Sequence, residues 1–202
     1  MRVVAGTARG RLLVAPAGTA TRPTADRVRG AVFNALYSLG GVEGWAVLDA
    51  FAGSGGLGIE ALSRGAARAT FVERDRAALD AVRVNLEMLG FDDLATVVPG
   101  DANRLLIAGD PRVRGPWDLV LLDPPYTFDG WPGLLATVDP LVRENDLVVC
   151  ESARPIELAP GWRLVRTKVY GGTVVTIARC PLTDSRSGPG AATTSTREGG
   201  AA

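Results

Sequence analysis

From Trp45 onward, short apolar runs alternate with amphipathic stretches. Residues 46–50, 69–73, 95–99, 118–122 and 147–151 are short, apolar and rich in Val, Leu and Ala, the pattern of strands buried on both faces. Between them, residues 57–64 and 77–89 carry apolar side chains at helical spacing, and further helical connections fall near Arg104 and Leu134. This alternation predicts an α/β fold: a doubly wound, mostly parallel seven-stranded sheet of Rossmann-like type. Residues 162–170 and 173–180 flank Gly171-Gly172, so the sheet is expected to end in an antiparallel hairpin.

The first 40 residues follow a different pattern. Two short β-rich runs around Gly6 and Gly10 predict an N-terminal hairpin, and Thr24 is the expected N-cap of a helix with Asp26 in its first turn. Val28, Ala31, Val32, Ala35 and Leu36 form the apolar stripe of that helix, while Arg27 and Asn34, seven residues apart, share another side. Three segments result: a hairpin-plus-helix extension over 1–40, an α/β domain over 41–181, and a Ser/Thr/Gly/Ala-rich tail over 182–202 that is expected to be disordered. Deleting residues 1–15 is expected to spare a core that starts near Trp45.

Composition narrows the chemistry. A chain of 202 residues with 47% hydrophobic content suffices for one sizeable core. No apolar run reaches the ~18 residues of a membrane span, and the N-terminus lacks a signal-peptide layout, so a cytoplasmic monomer is expected. Cys150 and Cys180 form no Cys-x-x-Cys pair and are expected to be small core residues in a reducing compartment, with no metal site. The complete lack of histidine removes Ser-His-Asp hydrolysis, Cys-His chemistry and zincin motifs.

The net charge is zero but unevenly spread. Residues 1–40 hold Arg2, Arg9, Arg11, Arg22, Arg27 and Arg29 against one acid, Asp26, leaving the remainder acidic. A basic arm on an acidic domain has the charge layout of a nucleic-acid contact surface.

Two motifs carry candidate chemistry. Asp49-Ala-Phe51-Ala-Gly53-Ser54-Gly55-Gly56-Leu-Gly58 lies between a strand and a helix, where glycines allow a tight turn and close ligand approach. Gly53, Gly55 and Gly58 satisfy the literal G-x-G-x-x-G pattern, and Glu73 ends the next strand where a ribose could be bound, so a nicotinamide dinucleotide and S-adenosylmethionine both fit these two features. Asp49 tips the balance, since a carboxylate at the strand end opposes a pyrophosphate. Asp101-Ala102 follows the third strand, where a carboxylate can meet an adenine amine. Asp123-Pro124-Pro125-Tyr126 ends the fourth; its prolines remove two backbone donors and leave carbonyl acceptors beside an aromatic face, which suits a flat base with an exocyclic amine.

These residues, together with Arg2-Val-Val-Ala-Gly6-Thr-Ala-Arg9-Gly10-Arg11, Arg22-Pro23-Thr24-Ala-Asp26-Arg27-Val28-Arg29, Phe33-Asn34-Ala-Leu36 and Glu60-Ala-Leu62-Ser63-Arg64-Gly65, carry a resemblance over residues 1–180. The chain resembles class I S-adenosylmethionine-dependent methyltransferases, and more closely the bacterial family that methylates N2 of guanine 966 in 16S ribosomal RNA. The resemblance implies that Gly53, Ser54 and Gly55 line the methionine part of the cofactor near Asp49 and Phe51. It places Glu73 on the ribose, Arg74 beside the adenine, and Asp101 and Ala102 at the adenine edge. Asp123, Pro124, Pro125 and Tyr126 become the catalytic motif, with Asp123 also bordering the cofactor. Arg2, Arg9, Arg11, Arg22, Arg27, Arg29 and Asn34 become candidates for RNA contact, with 16S rRNA in a small subunit or assembly intermediate as the partner. Two other functions share the motifs: a DNA methyltransferase acting on adenine N6 or cytosine N4, and a non-catalytic nucleotide-binding module. The short chain leaves no separate target-recognition domain for the first, and the intact Asp123 motif argues against the second.

Overall fold

The computed structural model describes residues 1–16 and 23–181. Arg22 and the tail over 182–202 lie outside the described residues.

Period-two alternation sorts the apolar runs onto two faces of one sheet. In β1 (Ala46–Asp49) Val47 faces one side and Leu48 the other; in β4 (Trp117–Leu122) Leu119 and Leu121 share the first side, Val120 and Leu122 the second. The first side packs against α1 (Pro23–Tyr37), α2 (Gly56–Ser63) and α3 (Arg76–Leu89) through Val32, Phe33, Leu36, Ile59 and Val82. The second side packs against α4 (Ala102–Ile107) and α5 (Trp131–Val138) through Leu106, Trp131, Leu135 and Val138.

The remaining strands are β2 (Arg68–Glu73), β3 (Ala95–Pro99), β5 (Val142–Ser152), β6 (Arg163–Tyr170) and β7 (Thr173–Arg179). The sheet order is β3-β2-β1-β4-β5-β7-β6; the first five strands run parallel and β7 inserts antiparallel between β5 and β6. Strand order reverses between β1 and β4, the crevice where open α/β sheets bind ligands. The seven-stranded, mostly parallel sheet with its terminal hairpin is the predicted architecture. Cys150 and Cys180 are buried and no disulfide joins them.

Three local expectations are corrected. β5 starts at Val142 rather than 147 because its first turn of chain, Arg143-Glu144-Asn145-Asp146, is polar and hides the strand; Arg143 N donates to Asp146 Oδ2 at 3.1 Å and Arg143 Nη1 to Asp118 Oδ1 at 2.7 Å. Helix α1 starts at Pro23, so Thr24 lies inside its first turn instead of capping it; Pro fits this position because its missing N–H is surplus there. The N-terminal hairpin is one bridge, Arg2 to Leu12, rather than two strands, with Val3 N donating to Arg11 O and Gly10 N to Val3 O at 3.0 and 2.9 Å.

That hairpin is also no detachable arm. Val3, Ala8 and Leu13 are buried in the same cluster as α1–α3, and Thr7 N donates to Ser63 O at 2.7 Å. Gly6, at φ 83°, lies so close to α2 that a Cβ would stand 1.7 Å from Ser63 O, so only glycine allows the contact. The expectation that residues 1–15 can be removed without cost to the core is therefore wrong.

Candidate active site

A cleft of about 920 Å³ opens at the carboxyl ends of β1–β4. Phe51, Gly53, Glu73, Arg74, Asp101, Ala102 and all of Asp123-Pro124-Pro125-Tyr126 line it, so one cavity gathers residues from four separate stretches of chain. Asp75, Asp129, Thr127 and Phe128 also line the wall and were not singled out in the sequence. The lining carries five carboxylates, Glu73, Asp75, Asp101, Asp123 and Asp129, against the single guanidinium of Arg74. Such a wall favours a cation and opposes a pyrophosphate.

Asp49, Ser54 and Gly55 do not line the cleft but shape the loop that forms its floor. Asp49 Oδ2 accepts from Gly58 N at 2.8 Å, at the start of α2, whereas Oδ1 is buried with no hydrogen-bond partner among the described residues. Burial raises the Asp49 pKa to about 7; the Gly58 N–H lowers it, while the charges of Asp123 and Glu73 raise it further. Glu73 spans the loop: Oε2 accepts from Gly53 N at 2.9 Å, and Oε1 accepts from Arg74 N and Asp75 N at 2.7 and 2.8 Å. Asp101 caps α4 by accepting from Arg104 N at 3.1 Å, and its other oxygen pairs with exposed Arg74 at 3.2 Å. Arg74 is thus turned toward the adenine-side wall by a solvent-exposed ion pair.

In the Asp-Pro-Pro-Tyr motif, Pro124 is buried and its carbonyl engages no donor among the described residues. The Pro125 carbonyl is taken by Phe128 N at 2.8 Å, so only one of the two proline carbonyls is open, fewer than the sequence suggests. Tyr126 is half exposed, and its hydroxyl meets Thr173 Oγ1 at 2.8 Å, fixing the ring from the first residue of β7. Burial raises Asp123 to a pKa of about 6. Glu151, which sequence reasoning missed, sits beside Asp123 because Leu122 pairs with Cys150 in the register of β4 and β5. Its pKa is raised to about 8 by burial and then by Asp123 and Asp49, against the opposing charge of Arg29.

The basic extension splits into two groups. Arg2, Arg9, Arg11, Arg27 and Asn34 are exposed, with Arg11 Nη2 donating to Met88 O at 3.0 Å. Arg29 leaves this set: it is 3% exposed, pairs with Asp26 at 2.9 Å and Glu60 at 3.4 Å, and also donates to the Arg2 carbonyl. Its guanidinium is committed inside the protein and is not available to a phosphate. Fully buried Glu60 also accepts from Val4 N at 2.7 Å, Ala5 N at 3.0 Å and Arg64 Nε at 2.7 Å. Buried Asn85 accepts from Val14 N at 2.7 Å and donates to Val14 O at 2.9 Å and Ser54 O at 3.0 Å, tying the hairpin to the glycine loop. No motif flags Asn85; a lone polar residue on the apolar stripe of α3 is its only sequence signal.

Known proteins resemble this chain over most of its length. The family described as Conserved hypothetical protein 95 matches residues 1–179. The Bacillus subtilis (strain 168) protein YlbH is 41% identical over 182 residues, covering 88% of this chain and 97% of its own length. Ribosomal RNA small subunit methyltransferase D of Escherichia coli (strain K12) is 35% identical over 180 residues, covering 85% of each chain. The solved structure of Escherichia coli YhhF superposes with a TM-score of 0.77 at 33% identity, covering 90% of this chain and 98% of that one. The chain belongs to this family, that of ribosomal RNA small subunit methyltransferase D, a class I methyltransferase with S-adenosylmethionine as cofactor.

Proposed function

We propose that this enzyme methylates the exocyclic N2 amine of a guanine in 16S ribosomal RNA, of the guanine 966 type. The observation that carries this reading is the juxtaposition, in one carboxylate-lined cleft, of Asp123, the open Pro124 carbonyl and the half-exposed Tyr126 ring. The relatives named as ribosomal RNA methyltransferases support the substrate class.

The residues present fit the cofactor. The cleft's excess of carboxylates suits the sulfonium and ammonium charges, and the orphaned Asp49 Oδ1 beneath the glycine loop adds to the same field. Gly53 and Phe51 would border the methionine part, Glu73 the ribose, and Arg74, Asp101 and Ala102 the adenine. S-adenosylmethionine supplies an activated methyl when bound, so the protein's task is orientation and electrostatics.

A guanine amine is a poor nucleophile because its lone pair is delocalised into the ring. Asp123 and the Pro124 carbonyl would accept its two hydrogens and favour a more tetrahedral nitrogen with a usable lone pair. These bonds strengthen as positive charge develops on nitrogen, so they stabilise the transition state above the ground state. Tyr126, anchored by Thr173, would stack on the base and hold the amine in line with the methyl. The surplus proton then passes to Asp123, whose raised pKa near 6 suits it to hold a proton briefly and release it to water. The base must reach the cleft from a loop or by rotating out of its stack.

The test is methyl transfer from labelled cofactor to small ribosomal subunits that lack this modification, followed by mapping of the labelled base. Label on N2 of a single guanine is expected. Label on adenine or cytosine, or transfer to DNA in preference to RNA, would overturn the reading.

A further inference from the structure

Strand β6 forms one edge of the sheet and is exposed along most of its length. From Arg163 to Arg179 the β6–β7 hairpin holds Arg163, Arg166, Lys168 and Arg179 and no acidic residue, a second basic concentration separate from the N-terminal one. Antiparallel pairing fixes which way these cations point. Arg166 pairs with Ile177 and Lys168 with Val175, and both partners belong to the core cluster under α1–α3. Directly opposed residues share a face, so Arg166 and Lys168 stand on the same side of the sheet as α1 with its exposed Arg27.

The hairpin is also joined to the active site. Its turn begins at Tyr170 and ends at Thr173, the residue that binds the Tyr126 hydroxyl. The Lys168 ammonium rests 5.5 Å from the centre of the Tyr170 ring, next to that turn. Arg163 and Arg179 are turned toward Asn145, whereas Arg166 and Lys168 make no ion pair among the described residues. Two cations without an ion pair thus lie along the edge strand that leads away from the turn anchoring Tyr126.

We propose that Arg166 and Lys168 form a second phosphate-binding track that holds the RNA backbone on the β6 side of the active site, opposite the hairpin of residues 1–16. This inference rests on the RNA-substrate reading above. The cleft itself repels phosphate because its wall is acidic, so the backbone flanking a target base needs basic surface on both sides of the mouth. Edge strands also carry Lys and Arg simply to block pairing with other sheets. That role predicts aggregation on neutralisation, with no change in RNA affinity.

The experiment compares wild type with R166Q/K168Q and with R112Q/R114Q, which removes the same charge from an exposed turn between α4 and β4. Methyl transfer to unmodified small ribosomal subunits is followed at several salt concentrations, with melting temperature and cofactor affinity as folding controls. Expected for R166Q/K168Q is a KM raised on the order of tenfold with kcat nearly unchanged, and a salt slope shallower by about 1.4–1.8 for two contacts. R112Q/R114Q is expected to match wild type. An unchanged KM and slope in R166Q/K168Q, or an equal effect in both variants, overturns the inference while leaving the substrate reading intact. Absence of transfer by the wild type overturns that reading and the inference with it.

Discussion

Arg29 and Glu60 face each other inside the protein, 3.4 Å apart and almost wholly shielded from water. Glu60 also receives the Val4 and Ala5 amides, so one carboxylate holds the hairpin, α1 and α2 together. Removing it would leave the Val4 and Ala5 amides and the Arg64 Nε without this acceptor, and Arg29 with only Asp26 as its counter-charge. Glu60→Ala is expected to lose about 3–5 kcal/mol of stability, the cost of breaking a buried pair from one side. Urea denaturation measures this; a loss under about 1 kcal/mol would show that Asp26 alone suffices for Arg29.

Asp123→Ala is expected to lower kcat on the order of 10²–10³-fold, the scale of removing one preorganised transition-state hydrogen bond. Cofactor affinity should fall far less than kcat, since Asp123 is only one of five carboxylates lining the cleft. Asp123→Asn should be milder because an amide oxygen still accepts one amine hydrogen. Single-turnover methyl transfer paired with calorimetry of cofactor binding separates the two effects, and near-normal turnover by the alanine variant would reduce Asp123 to a turn residue.

Tyr126 offers a division between ring and hydroxyl. Tyr126→Ala removes stacking worth about 1–3 kcal/mol per base and should raise the substrate KM accordingly. Tyr126→Phe keeps the ring and loses only the bond to Thr173, so a severalfold effect is expected. Equal defects in the two variants would mean that the anchor, and not the aromatic face, is what matters.

Three carboxylates, fully buried Asp49 and half-buried Asp123 and Glu151, set the response to pH. Asp123, Asp49 and Glu151 titrate near 6, 7 and 8, raised chiefly by burial. Their folded pKa values exceed the unfolded ones near 4, so the folded state binds more protons between those limits. Stability of the cofactor-free protein should therefore fall as pH rises from about 4 to 8, and level off above. A cationic cofactor favours the ionised forms, so its affinity should rise over pH 6–8 with release of protons. S-adenosylhomocysteine, without the sulfonium charge, should show less of this. Melting temperatures and calorimetry in buffers of different ionisation enthalpy test both; a melting temperature that climbs with pH over this range contradicts the assignment.

For the N-terminal surface, neutralising Arg9 and Arg27 together should weaken RNA binding and make its salt slope shallower by about 1.4–1.8. Arg29→Gln should lower stability instead, with the slope preserved. Filter binding at graded salt distinguishes them, and a shallower slope for Arg29→Gln would return that residue to the RNA surface.

Strand–helix alternation made the sheet legible because buried parallel strands are almost uniformly apolar, and Asp123-Pro124-Pro125-Tyr126 marked the cleft because its composition is unusual. Charge alone misassigned Arg29: an arginine bound for solvent and one bound for a buried glutamate look alike until Glu60, 31 residues away, is brought beside it. Glu151 stayed hidden for the same reason, since only the register of β4 and β5 sets it next to Asp123. The hairpin's dependence on α2 rests on backbone donors at Val4, Ala5 and Thr7, which leave no mark on side-chain pattern.

Gly58 completes a dinucleotide-type glycine pattern, yet its amide is already spoken for by Asp49, and a Cβ there would stand 2.3 Å from the Phe71 ring. The glycine is required by helix-to-strand packing. The helix start carries its own tethered acceptor, so a diphosphate arriving there would compete with a carboxyl group that never diffuses away. A nicotinamide dinucleotide is therefore expected to bind poorly, because the seat that a diphosphate takes at a helix start is already occupied by a side chain of the protein itself.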